Sequence, residues 1–467
     1  MAAGALLRAL LPLLLLGSAS ALRRWGRAPL TCDPRKHGAS GDGARRDTAA
    51  IQAAIDECAA GPEGGVVLLS KGVYLSGALW LKSHVTLRLA AGTVLKAVPP
   101  TNWSNTWHDF PPSYVPDTGQ LFGGMPHAAL LNGGRCLTRP ADPEAFGDQC
   151  AQWQELQDVV VEGAGARPVG EGGSAIDGSG ELWHRDCAHF STAACPDGAQ
   201  EKWARPRLLH FMKVAGLTIR NLHVKDSAFW TVVPQYSRRV LVSGVLATAH
   251  RKTHNTDAFN IQSCKGVRIL DSAADTGDDC VAVYSGSQKQ GMILGQTTED
   301  VLVERFRCKH GHGLAIGSRT ATSIRNVVFR DIELDGTRCG PRVKTCQGRG
   351  GLVDHIVFEN ITMRNVKKAI EVTSHYPFDT AYPPAQSAGT PRLRDITIRG
   401  LRGTAQWLGE VAGLQQSPVR RVVLQDIRLQ APEGLQVDTA TVREALIPAG
   451  VPRAQFVAST AGFFGRP

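Results

Sequence analysis

Gly216-Leu217-Thr218-Ile219-Arg220-Asn221-Leu222-His223-Val224 is the stretch on which the fold turns. A short alternation of apolar and polar residues runs into one Asn, and a second short apolar run follows. The arrangement, with Asn, Asp or Gly at the break, recurs at Val240-Leu241-Val242, Val267-Arg268-Ile269, Val301-Leu302-Val303, Val327-Val328-Phe329, Ile356-Val357-Phe358, Ile396-Thr397-Ile398 and Val422-Val423-Leu424. Counted between third residues, the steps are 23, 27, 34, 26, 29, 40 and 26. A period of two marks each unit as a strand, and the Asn, Asp and Gly punctuation marks turns.

Strand units repeating every roughly 20–50 residues indicate a solenoid, a propeller or an array. A propeller blade needs about four strands in roughly 40–45 residues joined by hairpins, and no Asn-Gly or Asp-Gly turn recurs in register here. A β-sandwich also uses spaced short strands but does not require a repeat. The pattern predicts an all-β right-handed parallel β-helix, in which each coil buries its inward residues against the coils on either side. A solenoid needs its open end covered. Thr48 to Cys58 reads as a short N-terminal capping helix with Ile51, Ala54, Ile55 and Cys58 on one face and Asp47 as its N-cap.

The 467 residues, 43% hydrophobic and 20% charged, carry ample core material, and the 50 Gly and 26 Pro are spread along the chain rather than pooled. Residues 1–21 read as a secretory signal: Arg8, an apolar run from Ala9 to Leu16, then Ala19-Ser20-Ala21 as a cleavage site. The remainder, 22–467, reads as a single β-helix domain with an irregular insertion around 99–154, rich in Pro, Gly and Trp. No apolar run approaches the ~20 residues that span a bilayer, so the expectation is a secreted, extracellular monomer with no membrane partner.

Eleven cysteines suit an oxidising compartment, and several fall in close pairs: Cys136 with Cys150, Cys187 with Cys195, Cys339 with Cys346. Their spacing suggests disulfides rather than a zinc site, with at least one thiol left over. Asn102-Trp103-Ser104 and Asn360-Ile361-Thr362 are glycosylation acceptor tripeptides. The net charge of +10 favours an acidic partner. No basic block with interleaved aromatics points to nucleic acid, and the charge is compatible with an anionic lipid or an acidic polysaccharide without deciding between them.

Chemistry-bearing residues concentrate in four places: Asn255-Thr256-Asp257, Gly277-Asp278-Asp279, Gly311-His312-Gly313 and Arg342-Val343-Lys344. Asp278 follows Asp257 by 21 residues, His312 follows Asp279 by 33, and Arg342 follows His312 by 30. These intervals are close to one coil step, and stacked coils lie ~4.8 Å apart, so the four places converge on one face. Each has a bland explanation when taken singly: a solvated turn, a cap, loop geometry, an exposed strand face. Together they match glycoside hydrolysis, in which one carboxylic acid protonates the leaving oxygen and another carboxylate works on the opposite side of the sugar. Arg342 and Lys344 alternate on a strand and point the same way, a disposition suited to binding the carboxylate of a uronic sugar.

On these motifs the sequence resembles the polygalacturonases, glycoside hydrolase family 28, which carry Asn-Thr-Asp, Asp-Asp, Gly-His-Gly and Arg-Ile-Lys in this order on a right-handed parallel β-helix. The resemblance extends to Gly38-Ala39-Ser40-Gly41-Asp42-Gly43, to Arg205-Pro206-Arg207 and to Phe229-Trp230-Thr231, and covers roughly residues 32 to 430. It implies inverting hydrolysis of α-1,4-galacturonosyl bonds in pectin, with Asp278 as general acid, Asp257 and Asp279 activating water, and His312 holding the proton on the acid. Arg342, Lys344 and Tyr376 would contact the substrate, Asn255 would position the carboxylates, and no metal or organic cofactor is called for. It also implies a disulfide between Cys264 and Cys280. Three positions depart from the family pattern: Val343 for Ile, Ala258 for Gly, and Tyr284 where a smaller or basic residue is usual. The 99–154 insertion and the Arg205-to-Thr231 stretch favour exo over endo action. The alternatives are a rhamnogalacturonan hydrolase, a calcium-dependent pectate lyase, in which Gly311-His312-Gly313 would have no role, and a non-catalytic wall-binding solenoid.

Overall fold

The computed structural model describes residues 29–100, 108–111, 127–136, 153–185, 205–376 and 387–455. Within these the chain winds as a right-handed parallel β-helix whose strands form one continuous 28-stranded sheet. The signal-like segment 1–21 lies outside the described residues.

The eight apolar triplets stack in register. Leu217 pairs with Val240, Val240 with Val267, Val267 with Val301, Val301 with Val327, Val327 with Ile356, Ile356 with Ile396 and Ile396 with Val422. Every member of that ladder is buried to within 2%. The third residues form a second buried ladder, in which Phe329 and Phe358 stack with ring centroids 4.9 Å apart. A steady inward ladder is what a solenoid requires, because each coil has only its neighbours to bury against.

The punctuation after each triplet is a corner. Asn221, Gly244, Asp271, Arg305, Asp331, Asn360, Gly400 and Asp426 occupy successive coils and all have φ between 50 and 66°. A left-handed corner turns the strand onto the next face, and Asn, Asp and Gly are the residues that adopt it at least cost. Arg305 is the exception, and its guanidinium is held by Asp271 of the preceding coil and by Glu304. Other arginines form similar ladders on the outer faces, Arg88 and Arg220 on Glu162, Arg330 on Glu304, Arg399 on Glu359. With the arginines half-exposed, pairs of this kind contribute little stability each.

The helix Thr48–Ala60 covers the N-terminal end, burying Ala50, Ile51, Ala54, Ile55 and Cys58. A disulfide between Cys32 and Cys58 ties it to the first strand. Asp47 sits at the N-cap position but does not cap: its carboxylate accepts from the Ser40 and Gly41 amides instead. Those donors, on the Gly38–Gly43 loop, outcompete the helix's own first turn.

The insertion around 99–154 is not wholly irregular. Most of it lies outside the described residues, yet Leu131–Gly133 is a strand of the solenoid, paired with Leu79–Leu81 on one side and with Leu209–Phe211 on the other. The buried Asn132 side chain fixes this strand by donating to Leu79 O. Arg135–Cys136 and Trp153–Gln154 form a separate antiparallel pair.

The Cys264–Cys280 expectation is overturned. Cys280 bonds Cys308, with S–S 2.04 Å, and Cys264 is a buried thiol that donates to Gln262 O and accepts from the Ser237 amide. Register explains it. Phe259 pairs with Val281, so Cys280 is level with Ala258, whereas Cys264 lies six residues further along its own chain. The whole strand Phe259–Gln262 and the left-handed corner at Ser263, φ 51°, stand between those two levels, which takes Cys264 out of disulfide reach of Cys280. Cys339 and Cys346 do not bond each other either, because the strand Pro341–Lys344 runs between them. Cys150, Cys187 and Cys195, which complete the other two pairs, lie outside the described residues.

Candidate active site

One face of the solenoid is built from short strands: Leu209–Met212, Val232–Gln235, Phe259–Gln262, Val281–Tyr284, Leu314–Ile316 and Pro341–Lys344. The catalytic-type residues sit at the turns leading into these strands or on their outward positions. Val343 and Ala258 point inward and are fully buried, so these departures from the family pattern are core substitutions.

The Asn-Thr-Asp turn is stitched to the Gly-Asp-Asp turn of the next coil. Thr256 Oγ1 donates to Thr253 O and accepts from the Gly277 amide, and the Ala258 amide donates to Asp279 O. Asn255, at φ 60°, directs its own backbone amide onto Asp278 Oδ2 at 2.8 Å. Its positioning role is therefore played by the main chain, in a conformation that Asn tolerates.

His312 is brought under Asp278 by the glycines on either side. A Cβ at Gly311 would stand 2.3 Å from Asp278 O, and one at Gly313 only 1.9 Å from Cys339 O. With those contacts allowed, the His312 amide donates to Asp278 O and its Nδ1 lies 2.8 Å from Asp278 Oδ1. Burial works to raise the Asp278 carboxyl. The His312 charge and hydrogen bond, Lys344 and the Asn255 amide outweigh it and hold the group well below the usual carboxylate range.

Asp257 and Asp279 are both buried, at 2% and 1% exposure. Asn260 Nδ2 donates to Asp257 Oδ2 at 3.0 Å, and the Tyr284 hydroxyl approaches the same oxygen at 3.4 Å. Burial, then the charges of Asp278 and Asp279, push the Asp257 carboxyl well above its usual value. Asp279 Oδ2 accepts from Lys344 Nζ at 2.9 Å, with Arg342 Nη1 3.9 Å from Oδ1. Asp257 Oδ1 and Asp279 Oδ1 have no hydrogen-bond partner among the described residues.

Arg342 and Lys344 both face the carboxylates, as their alternation required. Arg342 is anchored from the far side by Glu371, which Lys368 also pairs with, and Lys368 reaches on to Glu410 at 2.8 Å. The Tyr376 ring stands over both cations, 5.5 Å from the Arg342 guanidinium carbon and 5.2 Å from Lys344 Nζ. All eight residues singled out from the sequence are thus on one face. Glu371, Lys368 and Asn260 were missed. Their signal was available: Glu371 follows Arg342 by 29 residues, close to one coil step, and is its direct register partner.

Asp278, Asp279 and His312 place ligand-type atoms within 4.8 Å of one another. Lys344 and Arg342 already face Asp279, and their charges oppose a divalent cation there. A second group, Asp354, His355 and Asp395, lies among Arg394 and Arg421 and meets the same objection.

Comparison with known proteins agrees with this arrangement. The model for glycosyl hydrolases family 28 matches residues 144–444, and one for rhamnogalacturonase A/epimerase, pectate lyase-like, matches 35–99. A probable polygalacturonase of Vitis vinifera is 33% identical over 399 residues, 84% of this chain and 72% of the relative. Two solved structures share the fold at 20% identity. One is an exopolygalacturonase of Thermotoga maritima, with a TM-score of 0.67 over 90% of each chain. The other is a family 28 exopolygalacturonase of Yersinia enterocolitica, with a TM-score of 0.69 over 92% of this chain and 78% of that one. The chain belongs to family 28 of the glycosyl hydrolases, the polygalacturonase family.

Proposed function

We propose that the protein hydrolyses α-1,4-galacturonosyl bonds of polygalacturonate with inversion, as an exo-acting, secreted monomer. The observation that carries this reading is the pairing of three convergent carboxylates with two buried cations, Arg342 and Lys344, at their edge. Burying two cations is costly in desolvation even when each has a carboxylate partner, and their place at the edge of the acids suits the carboxylate that a uronic sugar brings.

Asp278 is the most accessible of the three acids, with a side-chain exposure of 13% against 2% for Asp279, and is the group placed to reach the glycosidic oxygen. His312, Lys344 and the Asn255 amide favour its ionised form. An anionic sugar that draws Lys344 and Arg342 toward itself, and excludes water, raises the Asp278 carboxyl, and the adjacent His312 supplies the proton. Asp278 protonates the leaving oxygen as the bond to the anomeric carbon breaks. A water held at the unpaired oxygens of Asp257 and Asp279 attacks the opposite face and leaves its proton on that pair.

Exo action is supported by the outward side chains Phe229, Trp230, Val233, Ala282 and Tyr284, which are at most 8% exposed despite facing away from the core. A groove walled there admits a chain end rather than a passing chain. The Cys32–Cys58 and Cys280–Cys308 disulfides support an oxidising compartment.

The test is to incubate the protein with polygalacturonate while following reducing ends, unsaturated uronide absorbance and product size together. New reducing ends without unsaturated product, with monomer from the earliest times, are expected. Early oligomer ladders would replace exo with endo action, and calcium-dependent unsaturated product would overturn hydrolysis.

A further inference from the structure

The two carboxylates assigned to the attacking water each leave one oxygen over. On Asp279, Oδ2 is taken by Lys344 Nζ, and Oδ1 has no hydrogen-bond partner among the described residues. Asp257 shows the same division by different means. Its Oδ2 accepts from Asn260 Nδ2 at 3.0 Å, the Tyr284 hydroxyl approaches that oxygen at 3.4 Å, and its Oδ1 is left without a partner among the described residues. A carboxylate free to turn about its Cβ–Cγ bond exchanges its two oxygens, so something must fix which one faces the substrate. Two donors on one oxygen, which offers two lone pairs, do so. They come from two coils: Asn260 from the strand Phe259–Gln262 that follows Asp257, and Tyr284 from the strand Val281–Tyr284 paired with it. Both side chains are buried, so neither donor is shared with bulk water. The Tyr284 ring packs near Trp230, with centroids 6.0 Å apart. Burial and then the charges of Asp257 and Asp279 push its phenol well above the ordinary value, which keeps it protonated and a donor. Tyr284 is also a position that departs from the family pattern, so this donor is not part of what the shared motifs supply.

We propose that Asn260 and Tyr284 are positioning residues that clamp Asp257 by its Oδ2, turn its Oδ1 to the attacking water, and keep the carboxyl ionised so that it can take the water's proton. The proposal rests on the galacturonan hydrolase reading above. The clamp works against an opposing field. Burial, then the charges of Asp278 and Asp279 on the next coil, push the Asp257 carboxyl up, and Lys344 pulls it down. The Arg205 charge also bears on Asp278 and Asp257, His312 lies against Asp278 and Arg342 near Asp279, and Arg319 stands beside the Tyr284 ring. A hydrogen bond to the ionised form favours that form, so removal of either donor raises the carboxyl further. A general base must be ionised to act, and the acid limb of the kcat profile follows its titration. Loss of a donor therefore moves that limb to higher pH.

The experiment measures kcat and KM on polygalacturonate across pH for wild type, Asn260→Leu and Tyr284→Phe, which keeps the ring and removes the hydroxyl. The acid limb of kcat should move up by about one pH unit in Asn260→Leu and in the same direction, by less, in Tyr284→Phe. At the acid end kcat should fall about 10-fold or more in Asn260→Leu, the deficit should shrink as pH rises, and KM should change less than about twofold. A purely structural role would lower kcat by the same factor at every pH. That result, with the limb in place in both variants, overturns the clamp, as does a raised KM with kcat intact, which would make the two residues substrate contacts. Should Asn260→Leu fail to fold, the limb of Tyr284→Phe decides alone. If wild type hydrolyses no galacturonan, the hydrolase reading itself fails. Carbon-13 NMR titration of aspartate-labelled protein, with Asp257→Asn assigning the signal, then judges the clamp alone: an Asp257 titration moved to higher pH in Tyr284→Phe keeps it, and an unmoved one removes it.

Discussion

Lys344 donates to Asp279 across 2.9 Å from a strand 65 residues further along the chain. The two meet because the coils of Asp279 and Lys344 stack two strand spacings apart, with only Leu314–Ile316 between them. Arg342 stands on the same strand and is held from behind by Glu371. The two cations and the Asp279 carboxylate are thereby fixed by one ladder of strands, and the first consequence concerns Arg342.

Arg342→Lys keeps the charge but loses the fork that serves Glu371 and the substrate together. KM for polygalacturonate is expected to rise about tenfold, with kcat changed less, in initial-rate measurements. An unchanged KM would remove Arg342 from substrate binding.

Asp278→Asn retains an acceptor for the Asn255 amide but has no proton to give. Hydrolysis should fall by about a thousandfold or more, with the melting temperature altered by only a few degrees. Retention of more than a tenth of the wild-type rate would move the acid to another carboxyl.

Glu371 gives a pH signature of stability. Burial would raise its carboxyl, but Arg342 and Lys368 prevail and lower it to about 2 from an ordinary 4.5. Between those values the unfolded chain binds the extra proton, so stability rises with pH, is fully present above about 4.5, and is lost as pH falls toward 2. Glu371→Gln should cost about 3 kcal/mol at neutral pH, and the difference from wild type should shrink across that window in denaturant titrations. A difference independent of pH would mean that the ion pair is not its source.

Cys280–Cys308 closes a loop with a sequence separation of 28. Peptide mapping without reduction should recover these two cysteines linked and Cys264 unlinked. Cys308→Ser should lower stability by about 2–4 kcal/mol, whereas Cys264→Ala, which trims a buried thiol that bonds no other cysteine, should cost less. A linked Cys264 peptide would contradict the register that separates it from Cys280.

Gly313→Ala tests the approach of the coils beneath His312. The added methyl would meet Cys339 O at 1.9 Å in a backbone with φ +84°, so a loss of several kcal/mol is expected, read from thermal unfolding. A stable, active Gly313→Ala would show that the neighbouring coil yields.

Much of this was legible before any coordinates, for a physical reason. Leu217, Val240, Val267 and their successors share one buried ladder because a solenoid repeats its environment at every coil, so burial imprints a period on the chain. The left-handed corners impose Asn221, Asp271, Asn360 and their kind through backbone sterics alone. Asp257, Asp278, Asp279, His312, Arg342 and Lys344 were visible because they sit in short motifs at near-coil spacing. What the chain could not disclose depends on register and on competition between partners. Asp47 looks like a cap, but the loop amides of Ser40 and Gly41 claim its carboxylate. Cys264 and Cys280 look one coil apart, but the strand Phe259–Gln262 and the corner at Ser263 separate their levels. The charge state of each acid also waited on the tertiary structure: Asp257 is pushed up and Asp278 held down, although both are aspartates at turns. Burial and the charges that arrive from other coils set that difference, and those neighbours are assigned only when the coils stack.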